Sequence, residues 1–226
     1  MVSTGVRPRP FNVLVAVCVV SCAAAPPGPA LSASPQQSAS RENHVVPSNI
    51  RRLRPAFPTR YEVTDVPAAR SPVGYWGFGA DWTADPAQCV ALGNSIAGDE
   101  PSQGLAGSGP GGIVYAVVGH AVSPLDPGLV AECSRWSISG GRTSATVDVV
   151  PAPEIDGTPT VGMRTAVHTV VEGGTETDSR IQTVTAYLGD YVVFVVVVTD
   201  PGALQDPLPP ELAATLLVKA VATLRG

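Results

Sequence analysis

Ser95, in the hexapeptide GNSIAG, is the hydroxyl whose neighbours come nearest to those of a catalytic nucleophile, because a serine held between glycines on a sharp turn presents its oxygen outward. Ala97 stands where the second glycine of such an elbow belongs, and the preceding residues read as a helix where a strand is needed. Ser95 is therefore read as a helix-exit residue. A base to activate it would come from His44, His120 or His168. His168 lies in a strand pattern over residues 161–171, where alternation puts it beside Arg164 and turns Met163, Val167 and Val171 to the other face, so it reads as a solvent-side residue. No two histidines have the spacing of metal ligands. Glu172, Glu176 and Asp178 belong to a turn sequence, where carboxylates are ordinarily solvated. GSGPGG fits a glycine-rich dinucleotide pattern through Gly107, Gly109 and Gly112, but that pattern needs a strand before it and a helix after it. Here a strand follows and Pro110 stiffens the segment, which reads as a surface loop. No catalytic residue, metal site or cofactor is assigned, and the chain is expected not to be an enzyme.

The aromatic cluster Tyr75, Trp76, Phe78 and Trp82 is the remaining candidate site, interleaved with Gly74, Gly77 and Gly79. Two readings stay open. Large rings among glycines pack under a loop and bury area, and a segment of the same composition can line a cleft for an apolar or sugar ligand.

The four cysteines carry more. Residues 1–12 hold Arg7 and Arg9 and no acid, and residues 13–20 are apolar, too short a run to span a bilayer and suited to an export signal. The run ends in Val19-Val20-Ser21-Cys22, which resembles a bacterial lipobox: an aliphatic residue, a small or β-branched one, a small one, then the cysteine that receives diacylglycerol. Cys18 fits worse, because Val17 is bulkier than the residue expected before it. The alternative is an ordinary signal cut after Ala23-Ala24-Ala25. In the preferred reading residues 1–21 are discarded and Cys22 anchors the protein to the membrane, two acyl chains holding where one binds only marginally. Residues 22–47 are rich in Ala, Pro and Ser and nearly free of large apolar side chains, so they form a stalk of about 25 coil-like residues, reaching about 25–30 Å.

Beyond the stalk, residues 48–226 number about 180, enough for one domain with its own core. Loss of Arg7 and Arg9 takes the formal net charge from −5 to about −7, with Lys219 the one lysine, which argues against nucleic acid or anionic headgroups as partners of a basic face. Only Cys89 and Cys133 then remain, in a domain facing an oxidising compartment, and they read as a disulfide. Each sits in a short helix opened by Asp-Pro, at Asp85-Pro86 and at Asp126-Pro127, with Gln88 completing a capping-box spacing to Asp85. SNIRRLRPAFP reads as a brief helix capped by Ser48, with Ile50 and Leu53 inward, and YEVTDVP as a short strand. GGIVYAVVGHAV and RTSATVDVVP read as further strands. TVGMRTAVHTVV, TDSRIQTVTAYL and YVVFVVVVT, joined by EGGTE and Gly189-Asp190, read as an antiparallel meander. Leu212, Leu216, Leu217, Ala220, Val221 and Leu224 make one stripe of a final helix. The expected class is α+β, an antiparallel sheet with helices packed on one face and one disulfide.

The segments WGFGADWTADPAQC, GPGGIVYAVV, EGGTET, AYLGDYVVFV and LLVKAVATLRG resemble those of mycobacterial lipoproteins that carry a domain of unknown function, from the lipobox onward. The Cys133 helix and the closing strand and helix are also distantly similar to the extracellular sensor domain of a mycobacterial receptor serine/threonine kinase. The first resemblance implies an envelope lipoprotein without a known activity. The second implies an α+β unit with a cleft for a ligand, although such sensor domains typically hold two disulfides where this chain has one cysteine pair. The expected role is a membrane-anchored, sensor-like binding domain for a small envelope ligand or an envelope protein. A hydrolase of envelope components and a purely structural protein are the alternatives: a hydrolase needs polar groups converging in a cleft, a structural protein needs no cleft. The lipobox reading predicts that Cys22→Ala abolishes incorporation of radiolabelled fatty acid into the protein, and persistent labelling of that variant would refute it.

Overall fold

The computed structural model describes residues 44–66, 70–98, 101–199, 202 and 208–226. The export segment, Cys22 and the stalk as far as residue 43 lie outside the described residues. A 3₁₀ helix, Pro47–Ala56, leads into β1 (Glu62–Val66). A 3₁₀ turn, Pro72–Tyr75, and β2 (Thr83–Asp85) come next, with another turn, Ala87–Cys89, that runs into the single helical turn α1 (Val90–Gly93). Then come β3 (Gln103–Gly109), β4 (Gly112–His120), α2 (Pro127–Glu132), β5 (Arg135–Gly140) and β6 (Thr143–Val150). The last elements are β7 (Thr160–Val170), β8 (Glu176–Leu188), β9 (Tyr191–Thr199) and α3 (Leu212–Arg225).

The strands make one antiparallel sheet in the order β1-β3-β4-β9-β8-β7-β6-β5-β2. The meander β7-β8-β9 forms as its alternation and turns demand. Gly173 and Gly174 take positive φ in the first turn, and Gly189, at φ +64°, closes the second in two residues. β9 has no polar face. Val193, Val195 and Val197 pack with the α3 stripe and with Ile50 and Leu53, while Val192, Phe194 and Val196 pack with Trp76, Phe78, Trp136 and the disulfide. Apolar residues on both sides require cover on both sides.

The α+β class, the antiparallel sheet and the single disulfide are as expected, but the helical cover is divided between two faces. α3 and the Pro47–Ala56 helix lie on one. The short turns around Cys89 and Cys133 lie on the other, because β9 and β4 present apolar residues there too. Other differences are local. Asp126 caps α2, accepting the Gly128 N–H at 2.8 Å, whereas Asp85 ends β2 and caps nothing, since it is itself held in the edge pairing with β5. Ser48 lies inside its helix, which begins at Pro47.

GSGPGG is no surface loop. Gly107 and Gly109 belong to β3, and a side chain at either would collide with a ring: a Cβ at Gly107 would lie 2.5 Å from Phe57, and one at Gly109 would lie 2.4 Å from Tyr61. The glycines flatten the strand so that two aromatic rings lie directly on its backbone.

Cys89 and Cys133 are joined, with Cα atoms 5.7 Å apart, and both are fully buried. The bond ties α1 and α2, neither long enough to be stable alone, to the same sheet face. Replacing both cysteines by Ala should cost 2–5 kcal/mol by chemical denaturation; a loss below about 1 kcal/mol would show that the face packs without the bond.

Candidate functional site

The chain crosses the disulfide-bearing face of the sheet in the turn Pro72–Tyr75, and its four rings part company there. Trp76 and Phe78 enter the core, at 2% and 4% exposure. The Trp76 indole donates to Thr183 Oγ1 at 3.0 Å and its ring lies 6.1 Å from that of Trp136. Trp82 is half-buried, close to Gly93 and Gly140, whose lack of a side chain makes room for it. Tyr75 is half-buried at the margin, stacked on Tyr115 of β4 with centroids 4.3 Å apart, and its hydroxyl accepts the Arg70 N–H at 3.2 Å. Burial raises the pKa of both phenols, so both stay neutral and act as hydrogen-bonding apolar surface. Packing is thus the role of Trp76 and Phe78, while Tyr75 and Trp82 border solvent. Gly77 and Gly79 stand in open space, as room beside the rings requires; Gly74 is covered by the Arg70 side chain.

Tyr75 brings into play residues that the sequence hides. Tyr115 and Ile113 alternate onto the same face of β4, and Ile113 pairs in register with Val198 of β9. Ile113 is 38% exposed and Val198 half-buried, so the four residues continue one another as an apolar patch with two phenol hydroxyls. Beneath the ring layer Thr165, Thr183 and Thr185 are buried on the same face, and the Thr165 and Thr185 hydroxyls and the Trp136 indole N–H have no partner among the described residues. Unpartnered buried polar groups are rare because each costs about 1–3 kcal/mol.

His168 shows how a pattern suggestive of catalysis resolves. It pairs in register with Ser144 of β6 on one side and Asp178 of β8 on the other, so hydroxyl, imidazole and carboxylate stand in one cross-strand row. Nδ1 of His168 donates to Asp178 Oδ1 at 3.0 Å. No hydrogen bond links Ser144 to the ring among the described residues, and the row lies on an open sheet surface with Asp178 86% exposed. The hydrogen bond to Asp178 raises the His168 pKa, with its charge and that of Glu176 adding, which favours the imidazolium. Ser95 is buried beside the far end of β4, where its carbonyl accepts the Val122 N–H, and His168 lies near the β7-β8 turn. At about 3.3 Å per residue along the meander, the two are some tens of ångströms apart. His120 packs on Tyr191, centroids 4.4 Å apart. Among the described residues no group of three His, Cys, Asp or Glu could hold a metal ion, and no helix is long and apolar enough to cross a membrane.

A groove of about 290 Å³ lies at the β1 edge, between Pro55, Phe57, Pro58, Tyr61 and Arg54. Arg54 seals that edge, donating to the Val63 carbonyl and, at 2.7 Å, to Asp65 Oδ1. Unpaired edge strands invite foreign strands, and a charged side chain laid over the backbone discourages them.

An α+β domain with one sheet covered on both faces and no convergent catalytic groups among its described residues is the class that this geometry defines. Residues 46–225 match the family described as Domain of unknown function (DUF5642), and the chain belongs to it. The X-ray structure of an uncharacterized protein from Mycobacterium smegmatis, the Rv0999 ortholog, shares the fold with a TM-score of 0.61 at 23% identity, over 81% of this chain and 98% of that one. The crystal structure of the extracellular domain of PknH from Mycobacterium tuberculosis matches with a TM-score of 0.47 at 12% identity, over 81% of this chain and 98% of that one. No curated protein matches the chain.

The His168–Asp178 pair has a directional pH signature. Because the folded-state pKa of His168 is raised above the ordinary 6.5, its stabilising contribution is fully present below about pH 6.5 and is lost as pH rises through the folded value. Ring-proton NMR should place the His168 midpoint above 6.5, and Asp178→Asn should lower it; the stability difference between the two proteins should vanish on the alkaline side. A midpoint unmoved by the substitution would remove the pair as its cause.

Proposed function

We propose that the protein is an extracytoplasmic lipoprotein, held on the outer face of the plasma membrane through Cys22, whose domain binds a small apolar envelope ligand or an envelope protein and catalyses nothing. The lipobox-like Val19-Val20-Ser21-Cys22 supports the anchor. The buried Cys89–Cys133 bond supports an oxidising compartment, where such bonds persist. The observation that carries the binding role is the half-exposed Tyr75–Tyr115 stack, which continues through Ile113 and Val198 above buried threonine hydroxyls. Aromatic surface with a few hydroxyls is what a mainly apolar ligand bearing one or two polar groups requires. Against hydrolysis stand the separation of Ser95 from His168 and the open sheet surface on which His168 and Asp178 lie.

Native mass spectrometry of the mature chain, made with Cys22→Ala and purified mildly, should show a retained small molecule or an associated envelope protein. Tyr75→Ala or Tyr115→Ala should abolish retention at modest cost in melting temperature. Trp76→Ala should instead lower stability by about 3–5 kcal/mol, as a large-to-small core change does. Retention unaffected by either tyrosine substitution, or no retained mass at all, would end the binding role of this patch.

A further inference from the structure

The helical layer opposite the tyrosine patch has a charge distribution that the whole-chain balance conceals. The Pro47–Ala56 helix carries Arg51, Arg52 and Arg54 and no carboxylate, and α3 carries Lys219 and Arg225 and no acidic side chain. Glu211 precedes α3, about 12 Å along the helix axis from Lys219. The two helices pack together over the β9 face that holds Val193, Val195 and Val197. They therefore form one outer layer with five cations, on a protein whose formal net charge is −5. Asp65, on β1, answers two of them, at 2.7 Å from Arg54 and 4.0 Å from Arg51, whose side chain remains 65% exposed. Arg225 bonds the Asp156 carbonyl and Thr158 Oγ1. Arg52 and Lys219 are exposed, and neither has a carboxylate partner among the described residues.

The second observation is where the chain enters. The Val46 N–H donates to the Leu224 carbonyl at 2.9 Å, which fixes the first described residues to the end of α3, within this same layer. The chain therefore enters the domain at the layer that carries these cations. A flexible chain of the length between Cys22 and Val46 has an r.m.s. span of about 25–30 Å, short enough for an anchored domain to meet the bilayer surface.

We propose that the layer formed by the Pro47–Ala56 helix and α3 docks on anionic phospholipid headgroups of the membrane that holds the anchor. The occupant is set by charge complementarity and by the point of tether entry. Each Lys or Arg near an anionic surface contributes about fivefold in partitioning, so the cations of the layer together give a binding measurable at high lipid without the anchor and, with it, orient the domain. Docked this way, the domain turns the Tyr75–Tyr115 face, on the opposite side of the sheet, away from the lipid and toward the envelope. The orienting role rests on the lipid-anchor reading, whereas the headgroup affinity is measurable without it.

The test uses the mature chain from residue 22 with Cys22→Ala, so that no acyl chain contributes, and vesicles of phosphatidylcholine with or without roughly a third phosphatidylglycerol. Sedimentation should show binding to the anionic vesicles only, lost at high salt as screening demands. Arg52→Gln with Lys219→Gln should lower partitioning by about 30-fold, while the charge-matched control, Arg70→Gln with Arg142→Gln, should leave it within about twofold. Melting temperatures of both double variants establish that each is folded. Equal binding to neutral vesicles, no binding to either, or an equal loss in the control would each overturn the proposal. Failure of fatty-acid labelling at Cys22 would instead remove the anchor and leave the vesicle result standing.

Discussion

The fold is organised by the constraint that β9 imposes. YVVFVVVVT has no polar side to offer water, so its strand must be interior to the sheet, between β4 and β8, and both faces of that sheet must be roofed. Full burial of each valine is worth about 1.5–3 kcal/mol, so this strand alone accounts for much of the drive to collapse. The two roofs differ in kind because they have different sequences to work with. On one face α3 supplies a ready apolar stripe. On the other no long helix is available, and the cover is assembled from turns, rings and a disulfide.

That second roof explains the demands on its parts. Short helical turns do not persist without outside support, and the Cys89–Cys133 bond supplies it. The rings of Trp76, Phe78 and Trp136 supply area that a helix would otherwise bury. An improvised roof ends unevenly, and it is at its margin that Tyr75 meets Tyr115 and Ile113 reaches solvent. The candidate binding surface is therefore a by-product of how this face is closed. The opposite face, sealed by α3, offers solvent the charged backs of its helices.

The parts of the structure legible in sequence are those with a strong period. The β7-β8-β9 meander, the α3 stripe and the inward pair Ile50 and Leu53 fall where spacing puts them, except that Val171 lies past the end of β7, in the turn, and is exposed. β3, QGLAGSG, is hidden because small residues carry no apolar alternation, whereas β5, RWSISG, alternates Trp136 and Ile138 inward but offers only two apolar positions. The pairing of β3 is stabilised by rings from elsewhere, Phe57 and Tyr61, that lie on its glycines. Tyr115 is hidden for the opposite reason, since inside the run IVYAVV it reads as one more buried residue. Which rings of the YWGF segment go inward is decided by a turn that has no period to read. Asp85 and Asp126 show the same limit at one residue: each precedes a proline and a short helix, and only Asp126 is free of strand pairing to act as a cap.

Net charge misleads for a related reason. A sum over the chain suits questions of solubility, but a surface tens of ångströms across is felt only locally, because charges separated by more than about 8–10 Å are screened from one another at physiological salt. Asp126 and Glu132 lie with α2 on the disulfide-bearing face and do not meet the α3 layer, whereas Asp65, Asp156 and Glu211 border it and offset part of its charge. The same β9 strand that forces two roofs thereby separates two chemistries. Its Val193, Val195 and Val197 side holds up a cationic layer joined to the stalk, and its Phe194 side holds up the tyrosines. A domain built on such a strand presents two chemically different surfaces, one cationic and one aromatic, that share no residues.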